Sequence, residues 1–211
     1  MTSIVLIAKP PIAGKAKTRL NPPLTLQQAA DVAQALLLDS IEIVRRMPAD
    51  RRILAWAGEE LPEYASDFDL LRQVPGTLDQ RLGAIFDACE GPTFLIGMDT
   101  PQIRACDVAA VFDPASDADA WFGPAVDGGF WGFGLRDPRG DLLRGVPMST
   151  ADTGRVQLQR LHAARLSVEV LPTLVDIDEY DDALHVASLV PESHVARRLQ
   201  SIWVRPSAAV A

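Results

Sequence analysis

The hydrophobic pattern divides the chain into short apolar runs separated by longer stretches of helical spacing. Ser3 to Ala8 is one such run, and the run from Thr93 to Met98, which stops at Asp99 and is flanked by Gly91-Pro92 and Pro101, reads as a strand buried on both faces, the kind found inside a parallel sheet. Ile53 to Ala57 predicts a second strand, Leu70 to Val74 a weaker third and Ser167 to Leu171 a late one. Thr25 and Gln28 form a capping box, after which Ala29, Val32, Ala33, Leu36, Leu37, Ile41 and Val44 recur at helical spacing, predicting a helix to about Met47. A second helix starts after Thr77, with Leu78, Leu82, Ile85 and Phe86 facing inward. Further helices are expected over Ile103 to Phe112, from the Pro147 to Thr153 segment to about Ala164, and over Glu179 to Leu189 and Glu192 to Trp203. Strands alternating with helices predict an α/β fold built on a mostly parallel sheet.

Two stretches break this rhythm. Ala120 to Leu135 places two aromatic-rich runs around Asp127-Gly128-Gly129, a hairpin signal because Asp-Gly favours a type I′ turn. The second run is heavy in glycine, which usually marks close approach by a ligand or another backbone, so Asp127 is either a turn residue or a candidate base. Val175 to Asp182 reads as a strand end running into a helix, with alternation pointing Asp176 and Asp178 to one side. Either could meet Asp99 across a crevice, and helix capping by Asp178 is the competing explanation.

A chain of 211 residues with 48% hydrophobic and 23% charged residues fits one globular domain, expected over residues 1–205 with a flexible tail at 206–211. The formal charge of -8 argues against a nucleic-acid partner. Cys89 and Cys106 are too few for a zinc set or a disulfide framework and read as reduced and structural. His162, His185 and His194 fall on predicted helices without metal spacing. No stretch reaches transmembrane length, and the first apolar run is too short for a signal sequence, so the expected compartment is the cytoplasm.

Within this acidic chain the segment from Lys9 to Pro23 reverses sign. Lys9, Lys15, Lys17 and Arg19 lie in one loop bounded by prolines that forbid a continuous helix. A phosphate cradle is the functional reading, with Ala8 and Lys9 at the strand end, Gly14 allowing close backbone approach, and Lys15, Lys17 and Arg19 available to phosphate oxygens. A solvated basic loop is the alternative. A Walker-type loop is a poor match, since Ala16 precedes Lys17-Thr18 where glycine is required. Asp99 follows the central strand at its carboxyl end, the edge where open α/β sheets bind ligands. Thr77, Asp79 and Arg81 at the second helix start would lie near that edge, although Asp79 is equally explained as a complement to the helix dipole.

Lys15-Ala16-Lys17-Thr18-Arg19-Leu20, Ile96-Gly97-Met98-Asp99-Thr100-Pro101, Gly123 to Phe130 and Asp176-Ile177-Asp178 together resemble a bacterial glycosyltransferase family with a nucleotide-diphospho-sugar transferase fold, some members linked to arsenosugar biosynthesis. The resemblance implies a GT-A type fold, a Rossmann-like mixed sheet sandwiched between helices, whose first-strand loop receives the nucleotide. It further implies a divalent-metal aspartate at Asp99, with Mg²⁺ or Mn²⁺ as cofactor. Met98, Phe130 and Tyr180 depart from the family pattern, which bears on the acceptor more than on the metal. The lysine-rich loop is also similar to that of 2-phospholactate-type guanylyltransferases and, more distantly, of molybdenum-cofactor guanylyltransferases.

The leading expectation is metal-dependent transfer of a sugar from a nucleotide-diphosphate donor to a small acceptor. In it Asp99 and Asp178 hold the metal, Asp127 deprotonates the acceptor, and Gly128, Gly129 and Phe130 surround that acceptor. The alternative is nucleotidyl transfer from a nucleoside triphosphate to a phosphorylated small acid with release of pyrophosphate. A nucleotide-binding module without turnover is a third reading.

Overall fold

Seven strands form one sheet: β1 (Ser3–Ala8), β2 (Arg51–Trp56), β3 (Asp69–Arg72), β4 (Thr93–Ile96), β5 (Ala120–Pro124), β6 (Phe130–Leu135) and β7 (Val168–Val170). Their spatial order is β3-β2-β1-β4-β6-β5-β7. β1 pairs in parallel with β2 and β4, β2 with β3, and β5 with β7, while β6 runs antiparallel between β4 and β5. The computed structural model describes residues 1–202; the expected tail, and Trp203 at the predicted end of the last helix, lie outside the described residues.

Helices cover both faces, as a sheet apolar on both sides requires. Alternation along β1 sends Ile4 and Leu6 to one face, where they meet Ala33, Leu37 and Ile41 of α1 (Leu26–Arg46). Val5 points the other way and packs with Leu82, Ile85 and Phe86 of α2 (Leu78–Asp87). The outer side of α1 is apolar as well: Val32 and Leu36 pack with Val186 of α4 (Tyr180–Leu189) and with Val195 and Leu199 of α5 (His194–Ile202). A further helix, α3 (Thr153–Ala163), lies against β5. The expected capping box of Gln28 with Thr25 starts α1, and Gln80 with Thr77 forms a second box at the start of α2.

The helix expected after Ile103 forms as a 3₁₀ helix, Ala105–Phe112, and Asp107 caps it by accepting from the Arg104 N–H at 2.9 Å. Three local expectations give way. The Val175 to Asp178 segment is not a strand end. Leu174 makes one isolated bridge to Ala125, and the next backbone groups turn to other loops, with Ile177 N–H donating to Asp99 O at 2.9 Å. The cap of α4 is Glu179, not Asp178, and Asp182 Oδ2 accepts from the Glu179 N–H at 2.8 Å. Both cysteines are free, but Cys106 is exposed, so a structural role in the core fits only Cys89.

The glycines of β6 serve core packing and not a ligand. A Cβ on Gly132 would lie 2.6 Å from Phe94 Cζ, and one on Gly134 would lie 2.7 Å from Phe94 Cδ2. The Phe94 ring on β4 thus lies across the glycines of the neighbouring strand, edge-on to Trp131 at 6.1 Å. Gly132→Ala is expected to destabilise the fold by about 1–3 kcal/mol through overpacking. Because the atoms met all belong to Phe94, Phe94→Leu in the Gly132→Ala background should recover part of that loss in urea unfolding. Additive losses in the double variant would contradict this packing.

Candidate functional site

At the carboxyl edge of the sheet the loops enclose a cavity of about 880 Å³. The basic loop after β1 supplies Lys9, Lys15, Lys17 and Arg19 to its wall, and α2 supplies Arg81. Asp99 after β4, Asp127 between β5 and β6, and Asp176 and Asp178 before α4 enter from the other side. Loop-to-loop hydrogen bonds fix these acidic segments. Beyond the Ile177 to Asp99 bond, the Gln102 amide donates to Val175 O, and Trp131 Nε1 donates to Pro172 O at 2.9 Å.

Lys17 joins the two sides. It adopts a left-handed backbone (φ 49), unusual for a residue with a Cβ and costing on the order of 1 kcal/mol or more. That turn carries a nearly buried ammonium toward Asp99 Oδ1 at 2.8 Å and Asp178 Oδ1 at 3.4 Å, and it also donates to Ile177 O. Burial opposes the charge, but Asp99 and Asp178 outweigh it and hold the ammonium above its ordinary pKa. Arg19, largely exposed, reaches Asp178 Oδ2 at 3.1 Å. Lys17 therefore engages carboxylates in this structure, which leaves phosphate contact to cations whose donors remain free.

Carboxylate oxygens of Asp127, Asp176 and Asp178 all lie within 4.8 Å of one another. Asp127 Oδ1 also accepts from the Gly129 N–H at 2.7 Å, which fixes its direction across the turn. Burial, followed by the neighbouring charges of Asp127, Asp178 and Asp99, pushes Asp176 up to about 6. Asp99 Oδ1 is closed to water and accepts no aligned hydrogen bond despite the nearby ammonium. Oxygen-only donors with unengaged lone pairs and mutual repulsion are what a hard divalent cation relieves, so the residues fit Mg²⁺ or Mn²⁺.

The remaining candidates divide. Ala8, Gly129 and Phe130 line the cavity, whereas Gly14, Thr77, Asp79 and Gly128 do not. Gly14 takes φ 76 in the turn that precedes Lys15. Thr77 and Asp79 bond each other, and Asp79 Oδ2 accepts from the Gly145 N–H at 2.7 Å, tying α2 to a distant loop. At Gly128 a Cβ would lie 2.1 Å from Ala151 O, so this glycine lets the hairpin turn approach the start of α3. Gln73 lines the cavity beside Arg81, and no motif in the sequence pointed to it.

A family model described as "Uncharacterized protein conserved in bacteria" (DUF2064) matches residues 25–150. A 2-phospho-L-lactate guanylyltransferase of Methanothermobacter thermautotrophicus is 33% identical over 125 residues, covering 54% of this chain and 53% of that protein. The chain thus spans about half the length of that curated relative. In overall shape it is similar to a Desulfovibrio desulfuricans G20 protein that carries the provisional name nucleotide-diphospho-sugar transferase, with TM-score 0.83, 23% identity and coverage of 95% of this chain and 94% of that one. A Mycobacterium tuberculosis H37Rv protein solved in complex with manganese matches with TM-score 0.52 and 21% identity over 89% of this chain and 97% of that one. The first of these two structural likenesses establishes the nucleotide-diphospho-sugar transferase type of fold.

The raised Asp176 group makes stability depend on pH. Its folded pKa of about 6 lies above the ordinary aspartate value, so between about pH 4 and pH 6 the folded state retains a proton that the unfolded state has lost. This group's contribution to stability therefore falls as pH rises through that window. Asp176→Asn should leave the melting temperature nearly unchanged at pH 4 and raise it by about 2–4 °C at pH 7.5, measured without divalent ions. A variant that melts lower than the native chain at pH 7.5 would show that Asp176 is not an electrostatic burden.

Proposed function

Since the chain belongs to the DUF2064 family of bacterial proteins, and its cavity sets a loop of cations opposite converging carboxylates, we propose that it is a metal-dependent nucleotidyltransferase. Its donor would be a nucleoside triphosphate and its acceptor a small molecule with an anionic oxygen. The observation that carries this reading is the convergence of Asp127 with Asp176 and Asp178. A carboxylate engaged on a metal is poorly placed to act as a base, and a phosphate or carboxylate nucleophile needs none. The partial likeness to a guanylyltransferase supports the same choice.

In the transfer, an acceptor oxygen forms a bond to the α-phosphorus, and the bond from that phosphorus to the bridging oxygen breaks. Pyrophosphate leaves with the electron pair. Lys9, Lys15 and Arg19 neutralise its growing charge, and Lys17 holds Asp99 and Asp178 at fixed positions. Asp99, Asp127, Asp176 and Asp178 are the residues that would hold a divalent ion, whose contribution is Lewis-acid stabilisation of the phosphates. Six acids face five bases around the cavity, a small negative balance that a bound divalent ion would reverse.

Glycosyl transfer from a nucleotide sugar stands as the second reading, favoured by one observation. The cavity lining also includes Phe130, Met148 and Thr150, uncharged side chains that suit a neutral hydroxyl acceptor. There Asp127 would be the base.

Pyrophosphate release should appear with a nucleoside triphosphate, Mg²⁺ or Mn²⁺ and a phosphorylated small acid or sugar phosphate. Asp178→Asn should slow it by about 10²–10³-fold and weaken Mn²⁺ binding measured by calorimetry. Nucleoside diphosphate release from nucleotide sugars, with no pyrophosphate from any triphosphate, would replace this reading by the second. Nucleotide binding without either product would leave a binding module.

A further inference from the structure

Gln73 sits immediately after β3, its own N–H bonded to Trp56 O at 3.1 Å. Its side-chain nitrogen donates to Ala8 O at 2.9 Å and to Ala55 O at 2.8 Å, at the carboxyl ends of β1 and β2. Two carbonyls can only accept, so the amide cannot be turned round, and both of its protons are committed. The oxygen is thereby aimed away from the strands. It accepts from Arg81 Nη1 at 3.1 Å.

Arg81 has no other side-chain hydrogen bond and no carboxylate partner among the described residues, and its Nε is enclosed without an acceptor. A guanidinium carries five donors, so beyond the bond to Gln73 and the enclosed Nε the remaining donors are unmatched where Arg81 borders the cavity. Ile7, Leu78 and Leu82 supply apolar surface beside it, the kind of wall on which a planar ring rests. Along the sheet, the Gln73 clamp spans β1 and β2, while the acidic centre follows β4 and β5. With strands about 4.8 Å apart, roughly 10–15 Å separates them, with the basic loop after β1 between. A nucleotide laid along that line has its phosphates at the acids and its base at Arg81.

We propose that Arg81 reads the donor's base and that Gln73 is the positioning residue that holds its fork, selecting a base whose edge offers two adjacent acceptors, as guanine does with O6 and N7 and, on a smaller ring, cytosine with N3 and O2. Adenine places an amino donor at the corresponding corner and leaves part of the fork unpaired. The inference rests on the nucleotide reading above and deepens it by naming the base edge that is read.

The test is equilibrium binding of GTP, ATP, CTP and UTP, each with Mg²⁺, to the native chain and to Arg81→Gln, Arg81→Lys and Gln73→Met, with melting temperatures as a folding control. The native chain should bind GTP at least about tenfold more tightly than ATP. Arg81→Gln should lose that preference by weakening GTP while ATP stays within about twofold. Arg81→Lys, a point charge without the fork, should lose it as well. Gln73→Met, with Arg81 intact, should narrow the GTP to ATP ratio, which a purely structural role for Gln73 would not do. Equal native affinities, or a preference for ATP or UTP, whose bases offer no pair of adjacent acceptors on that edge, would overturn the inference alone. So would equal weakening of GTP and ATP in Arg81→Gln, since Arg81 would then be a phosphate ligand. No binding of any nucleotide by the native chain would overturn the nucleotide reading itself, and this inference with it.

Discussion

The contact on which the site depends is the Lys17 ammonium, enclosed between Asp99, Asp178 and the Ile177 carbonyl. Its partners lie far away in the chain: Asp99 follows the central strand, and Asp178 is 161 residues distant. A single buried cation therefore fixes how the first loop, the middle of the sheet and the entry to α4 meet. Buried charge is tolerated only when paired, so the carboxylates cannot move away without leaving the enclosed Lys17 ammonium to an uncompensated desolvation penalty. The left-handed backbone at Lys17 points the same way, because surrounding structure must over-determine a conformation that a side chain disfavours.

The sheet supplies the rest of the arrangement. Parallel strands β1, β2 and β4 end at one edge, and their following loops have nowhere to diverge except over it. The antiparallel insertion of β6 between β4 and β5 brings the Asp127 turn to that same edge, since β5 arrives there and β6 leaves from it. Antiparallel pairing in that one strand thus places a carboxylate that an all-parallel order would require a separate crossover to deliver. Phe94, lying across Gly132 and Gly134, locks β6 in this register, so the packing that fills the core also sets where Asp127 emerges.

Much of this was legible in the residues because local signals and the global fold agree. The β1 boundaries, the capping box at Thr25, the helix start after Thr77, and the hairpin around Asp127 each follow from short-range rules that tertiary packing had no reason to override. The basic loop stood out as a sign reversal, and Asp99 by its place after a buried strand. Other features depend on partners remote in sequence. The β6 glycines are explained only by a ring on β4, and Asp176 gains its meaning from Asp127 across the cavity. Asp178 reads as a helix cap because Asp before a helix usually is one, yet Glu179 holds that place and frees Asp178 for Lys17 and Arg19. Gln73 was invisible, since an isolated glutamine after a weak strand carries no pattern. Its role arises from two strand ends that only the sheet order brings together.

The charge arrangement also bears on how an acidic protein handles an anionic ligand. At a net charge of -8 the chain as a whole repels polyphosphates, and the screening length of about 8 Å at physiological salt confines any remedy to the cavity. Within that radius the acids still outnumber the bases, six to five, and Lys17 and Arg19 are partly neutralised by Asp178. Only Lys9, Lys15 and Arg81 face the cavity without a carboxylate partner among the described residues. Three cations in so large a space attract a phosphate chain without fixing its orientation. The clustered carboxylates repel it unless a cation intervenes. Orientation then follows from opposition: a ligand whose one end is anionic and metal-loving and whose other end is flat and rich in acceptors has one way round in this cavity, phosphates toward Asp176 and ring toward Arg81.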